Sequence, residues 1–440
     1  MKRNGLNTIV IMGLGYIGLP TAAIFASHKK TVIGVDINSH VVNTVNQGEI
    51  HITEPGLGEM IQTVVKQGYL KASLKPEDAD VFIITVPTPC DEDKKPVLSY
   101  IVSAIEAIAP VLRKGNLIVL ESTSPVGTTK KICQWLEKLR PDLTFPHQNK
   151  KNPNIHIAYC PERIIPGKML DELVNNNRII GGMTKQCSLL AKQMYAIFLR
   201  GKCFETDTHT AEMVKLTENS FRDVNIAFAN ELSIICDQLN INVWELIQLA
   251  NHHPRVDILQ PSAGVGGHCI AVDPWFIVSS APEQSPLIKT ARDVNDYKPH
   301  YVATEILKQC QNKSKVKLTC LGLSFKADTD DLRESPALHI IENLSQYPHL
   351  ELNIVEPHID KLPASLAELN NVKLISVNEA HKNTGIIVSL VKHQEFIEVK
   401  ETIAKNKAKI LDFVNLFPNI ILSAPHTTDI ESTQSEVVYA

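Results

Sequence analysis

The sequence predicts an α/β protein in which two doubly wound, Rossmann-like domains are joined by a long central helix within a helical dimerisation region. Three observations carry that prediction. The N-terminal β-branched run "TIVIM" opens directly into Gly13-x-Gly15-x-x-Gly18 and an Ala-rich helical stretch, the strand-turn-helix order of a parallel α/β unit. From Thr208 to Asn240 there is no Gly or Pro, and Val214, Phe221, Val224, Phe228, Leu232 and Ile235 recur at helical spacing. After residue 300, strand-like and helical runs alternate again. At 440 residues the chain exceeds one ordinary core. It divides into 1–207, 208–300 and 301–422, followed by 423–440, a polar, aperiodic stretch expected to be a disordered tail.

The first element sets the chemistry. Gly13 allows the tight turn after the strand, Gly15 lets the backbone approach a pyrophosphate, and Gly18 lets the helix pack on the strand. The free N–H groups of the helix start then face phosphate charge. A second strand, "TVIGVD", ends at Asp36, whose carboxylate would bond the ribose hydroxyls and repel a 2′-phosphate. NAD is therefore expected rather than NADP. The runs "DVFIITVPTP", "GNLIVLESTSPVG" and "IHIAYCPERIIPG" are further strands, each ending in a polar loop that bears Pro or Gly. Loops at the carboxyl ends of parallel strands line the ligand crevice. Thr88, Thr123, Thr129, Glu162 and Arg163 are accordingly expected to converge there.

In the central helix, Lys215, Asn219 and Arg222 stand at i, i+4 and i+7 and share one stripe. Such a stripe alone is more often a solvated face. A second helix ends near "ANHHPRV", and a glycine-rich loop, "AGVGGHCIAVDPWF", then carries Cys269 and Asp273. His252 and His253 diverge as neighbours and have no third ligand at metal spacing, so no metal site is expected. His253 and Arg255 suit phosphate or sugar hydroxyls better. In the last third, "KVKLTCLGL" is a strand and Ser335-Pro336 caps the next helix, with "LELNIVEPH", "TGIIVSL" and "AKILDFV" as further strands. No second glycine fingerprint occurs there. Lys326 and Arg333, at the carboxyl end of that domain's first strand, suit an anionic ligand.

Composition excludes several classes. With 44 basic against 48 acidic side chains, the chain lacks an electrostatic footprint for nucleic acid or an anionic membrane. Nine cysteines without a C-x-x-C pair fit neither a disulfide framework nor structural zinc, and point to reduced thiols in a cytoplasm. The basic-then-apolar N-terminus is broken by glycines and is expected to be the first strand, not a leader or a membrane insertion.

Taken together, "GLGYIGLPTA", "ESTSPVGTT", "YCPERIIPG", "VKLTENSFRDVNIAFANEL", "NHHPRVDILQPSAGVGGHCIAVDPWF" and "FKADTDDLRESPA" resemble the UDP-glucose/GDP-mannose 6-dehydrogenase family over nearly the whole chain. The blocks look most like the branch acting on UDP-N-acetyl-D-mannosamine, for bacterial surface polysaccharides. The resemblance implies a four-electron oxidation at C6 with two NAD per sugar, through a thiohemiacetal and a thioester on Cys269. It also implies Lys215 as oxyanion stabiliser, Asn219 as holder of a water or the C6 oxygen, and Asp273 and Glu162 in proton transfer and thioester hydrolysis. Gly13, Gly15, Tyr16, Ile17, Gly18, Asp36, Thr88 and Thr129 carry over as NAD contacts, with Arg333 reaching the cofactor of a neighbouring chain. Arg163, Ile164, Lys215, Asn219, Arg222, His253, Arg255, Gly266 and Lys326 carry over as UDP-sugar contacts, in a homodimer paired through the central helix. Other readings are UDP-N-acetylglucosamine or UDP-glucose as substrate, a two-electron hydroxyacid dehydrogenase, and a non-catalytic NAD-binding protein.

Overall fold

Strands and helices alternate along most of the chain because apolar, β-branched runs of four to six residues are separated by amphipathic ones. The computed structural model describes residues 6–418 except 166, 312, 381, 383, 384, 406 and 407. The stretch 423–440, expected to be disordered, lies outside the described residues. The chain forms two compact units, Met1–Arg222 with Val272–Lys289, and Asp223–Ala271 with Thr290–Ala440.

The first unit holds an eight-stranded sheet made of β1 (Thr8–Met12), β2 (Thr31–Val35), β3 (Leu70–Ser73), β4 (Val81–Ile84), β5 (Leu117–Leu120), β6 (His156–Tyr159), β7 (Arg178–Gly182) and β8 (Cys203–Asp207). Their order is β3-β2-β1-β4-β5-β6-β7-β8, and every pair is parallel except β6 with β7. Both faces are covered: Ile9 and Ile11 enter one core, Val10 and Met12 the other. This explains why β1, β4 and β5 are apolar without alternation. The strand order reverses between β1 and β4, and the crevice for a ligand opens at the carboxyl ends of such a pair.

The second unit repeats the architecture with β9 (Val316–Leu321), β10 (Leu350–Val355), β11 (Val372–Leu374), β12 (Ile386–Ser389) and β13 (Lys409–Asp412). All are parallel, in the order β11-β10-β9-β12-β13. The helix Pro336–Ser345 starts as expected, with the Ser335 side chain accepting the Leu338 N–H and Pro336 in first position.

The gap-free run forms one 32-residue helix, Thr208–Leu239. Its apolar positions do not all turn inward: Phe228, Ile235 and Leu239 are 51%, 46% and 60% exposed, and Phe221 and Met213 also face outward. The reason lies in what its other face meets. Within the second unit, that face packs on the helix Pro286–Cys310 through buried polar groups. Arg292 donates to Asp223 (2.6 Å), Asn230 to Asn295 (2.9 Å) and Lys298 to the Ser233 hydroxyl (2.6 Å). Burial pushes the Lys298 ammonium down to about 8.

Candidate active site

In the first unit, the turn after β1 is shaped by three glycines with different surroundings. Gly13 has φ +96°, and a Cβ there would lie 3.1 Å from the Thr85 carbonyl. A Cβ on Gly18 would strike the Gly13 carbonyl oxygen at 1.8 Å, so this position admits hydrogen alone. Over Gly15 nothing lies within 4 Å of the added Cβ. The helix Gly18–Ser27 begins with no side-chain cap at Ile17. Tyr16 and Ile164 are half-buried against the same core. At the end of β2, Asp36 accepts the Leu14 N–H (3.0 Å) and the Asn38 N–H (2.9 Å), which fixes its carboxylate beside the glycine turn. Ile37 next to it is 92% exposed, an apolar side chain that motif reasoning overlooked. Its signal was its place directly after the strand-ending acid.

Two of the expected loop threonines are tied down. The Thr88 hydroxyl donates to the Thr123 carbonyl (2.5 Å). Thr129 gives both its N–H (2.7 Å) and its hydroxyl (2.6 Å) to Glu212, which also accepts the Gly127 N–H (2.5 Å). Glu212 is fully buried at the start of the helix Thr128–Leu139, where a carboxylate complements the helix dipole. Burial pushes its acid strength toward the neutral form while these donors pull the other way. Sequence reasoning missed it, although it stands three residues before Lys215 on the same helix.

The expected reacting groups Lys215, Asn219, Asp273 and Glu162 gather in this unit. Leu216 packs with Phe276 and Ile277, which seats the short helix Asp273–Ser280 against the central helix. Asn219 then donates its amide to Asp273 Oδ2 (2.5 Å). Asp273, Glu162 and Lys215 are all buried, so the stripe is not a solvated face at Lys215. Burial pushes Asp273 up to about 6 against the lowering influence of Lys215 and Asn219. Burial likewise pushes Glu162 up to about 6, against the Ile164 N–H and the Lys215 charge. Glu162 Oε1 is buried with no hydrogen-bond partner among the described residues. Arg163, beside it, forks onto Glu218 (Nε 3.0 Å, Nη2 2.6 Å) and donates to the Asn177 carbonyl (3.2 Å). Arg222 is exposed.

In the second unit, the glycine loop meets protein on every glycine side. Cβ atoms on Gly264, Gly266 and Gly267 would come within 2.7 Å of Pro299 and Pro336, 2.2 Å of the Glu334 carbonyl and 2.7 Å of the Phe325 ring. Their small size therefore serves close packing of the loop itself. Cys269, carried by that loop, is the exposed one of the nine cysteines. His253, Arg255 and Lys326 are exposed, and His253 Nδ1 accepts the Arg255 N–H (3.3 Å). Arg333 forks onto Asp331 of its own loop (2.8 and 2.6 Å).

Known proteins match this chain along its length. Models of the UDP-glucose/GDP-mannose dehydrogenase family match residues 7–199 as its NAD binding domain, 209–297 as its central domain and 319–419 as its UDP binding domain. An NDP-N-acetyl-D-galactosaminuronic acid dehydrogenase of Ralstonia nicotianae is 57% identical over 389 residues, covering 88% of this chain and 91% of the relative. A UDP-N-acetyl-D-mannosamine dehydrogenase of Campylobacter jejuni is 57% identical over 398 residues, covering 90% and 98%. Among solved structures, a UDP-D-ManNAc dehydrogenase from Pyrococcus horikoshii superposes with a TM-score of 0.83 at 38% identity, covering 94% of this chain and 96% of that one.

Proposed function

The chain belongs to the UDP-glucose/GDP-mannose dehydrogenase family, and from that premise we propose that it oxidises C6 of UDP-N-acetyl-D-mannosamine to the carboxylate in two NAD-dependent stages. It is an NAD-dependent dehydrogenase with a UDP binding domain. The open space over Gly15, the uncapped helix start and Asp36 at the end of β2 fit the pyrophosphate and ribose of the dinucleotide. When bound, NAD supplies a hydride acceptor at each oxidation.

The observation that carries the four-electron reading is Cys269: one thiol of nine is exposed, on a loop whose glycines pack closely against their neighbours. As nucleophile, its sulfur adds to the C6 aldehyde, so the half-oxidised sugar stays attached as a thiohemiacetal. Loss of hydride and proton from that adduct leaves a thioester, and water then releases the carboxylic acid and restores the thiol. Lys215 supplies positive charge to the C6 oxygen, and Asn219 orients that oxygen or a water. Asp273 and Glu162, held up to about 6, are matched to taking protons near neutral pH. Arg163, Ile164, Arg222, His253, Arg255, Gly266 and Lys326 are assigned to the nucleotide sugar, with 1–207, 208–300 and 301–422 as cofactor, catalytic and nucleotide-sugar segments.

The Campylobacter relative's name favours the mannosamine sugar, and the Ralstonia relative's name keeps a galactosamine one in contention. Offering UDP-N-acetylmannosamine, UDP-N-acetylgalactosamine, UDP-N-acetylglucosamine and UDP-glucose with NAD tests both sugar and electron count. Two NADH per UDP-N-acetylmannosamine, with the highest kcat/KM in the panel, is expected. One NADH per sugar sinks the thioester route, and preference for another sugar reassigns the substrate.

A homodimer paired through the central helix is the second part of the proposal. Phe228, Ile235 and Leu239 form an exposed apolar ridge, and an isologous pairing of two copies would cover it. Light scattering should give a dimer for the native chain and a monomer for Phe228→Glu/Ile235→Glu; an unchanged mass in that variant removes this interface. No helix among the described residues is long and apolar enough to cross a membrane, and nine cysteines without a C-x-x-C pair support a reducing cytoplasm.

A further inference from the structure

We propose that the second unit carries a metal-binding site for a zinc-like divalent ion, built from Asp328, His358, His393 and Glu395. These residues come from three loops at the carboxyl ends of β9, β10 and β12 and from the first turn of the helix Gln394–Ala404. One donor atom from each lies within 4.8 Å of all the others. Two imidazoles and two carboxylates form a ligand set suited to zinc and its first-row neighbours.

The surroundings resemble the outer shell that metal sites require. His393 is fully buried, and its Nε2–H donates to the buried Glu356 carboxylate (3.0 Å). Glu356 is itself fixed by the N–H groups of Leu323 (2.7 Å), Ser324 (3.0 Å) and His358 (3.2 Å). That carboxylate accepts the Nε2–H and so fixes the tautomer of His393. A carboxylate behind an imidazole in this way orients metal-ligating histidines generally. His393 is left with its Nδ1 lone pair, 3.9 Å from Asp328 Oδ1.

Two donor atoms lack hydrogen-bond partners among the described residues. His358 Nε2 and Glu395 Oε2 are both buried without a hydrogen bond among the described residues, and His358 Nε2 lies 3.5 Å from Glu395 Oε1. The two imidazole centroids are 4.9 Å apart. Lone pairs from separate loops that converge unsatisfied are costly unless an ion pair or a metal uses them. Metal binding exchanges the Asp328 N–H that His393 Nδ1 now accepts (2.9 Å) for a coordinate bond. Asp328 Oδ1 keeps the Gln394 N–H (2.9 Å), which leaves Oδ2 for the ion. Such an ion would pin the start of that helix to the two preceding loops. It takes no part in the oxidation proposed above.

The test uses full-length protein, stripped with chelator and titrated with zinc, with cobalt as a spectroscopic stand-in. One equivalent should bind, raise Tm and, with cobalt, give the intense visible absorption of a tetrahedral site. His358→Ala should weaken binding by about 100-fold or more. Glu395→Gln, a milder change on a half-exposed side chain, should weaken it too and decides the matter if His358→Ala misfolds. Cys269→Ser should bind zinc as the native chain does. The site is overturned if no equivalent binds, if both ligand variants bind as tightly as the native chain, or if only the Cys269 substitution abolishes binding.

Discussion

Cys269→Ser should lower the steady-state yield of uronate by on the order of 10³-fold or more, while NAD binding is retained. Serine keeps the size of the side chain but offers an oxygen whose conjugate base is far scarcer near neutral pH. Its adduct with an aldehyde is weakly populated, so the second oxidation lacks its covalent starting point. The eight other cysteines cannot substitute, because each is buried or half-buried. Burial pushes Cys90 up to about 11 and Cys133 to about 12, which keeps them as thiols. The measurement is uronate by mass spectrometry alongside NADH by absorbance. A variant that makes uronate at the native rate would remove the thioester from the mechanism.

The two-sheet fold was legible because its signals are local. The tight approach of Gly18 to the Gly13 carbonyl, the apolar strands and the Ser335-Pro336 cap each depend on a few neighbouring residues. What escaped was set by partners far along the chain. Glu212 looks like any helical glutamate until the fold brings Gly127 and Thr129 to it, 85 and 83 positions away. The direction of the long helix's apolar stripe was also illegible, because its inward face is filled by polar groups that meet Arg292, Asn295 and Lys298. In the same way, the spacing of Lys215 and Asn219 was readable, but not the burial that shifts the carboxylates beside them.

That burial decides what Lys215→Met should do. Desolvation raises Asp273 and Glu162 to about 6, and in both cases the Lys215 charge opposes the rise. Removing that charge while keeping the stem must therefore move both carboxylates further up, not down. At pH 7 a larger fraction of each is then protonated and unable to accept a proton. The native enzyme should gain activity as pH rises through about 6, where both carboxylates lose their protons. In the variant this acidic limb should shift to higher pH. Loss of positive charge at the C6 oxygen should separately lower kcat by about 10² to 10³-fold on the plateau. The two effects are distinguishable, since high pH restores the proton acceptors but not the missing charge. A pH profile of kcat answers both questions: an unshifted limb would mean that Lys215 does not govern the carboxylates, and an undiminished plateau would mean that it does not stabilise the oxyanion.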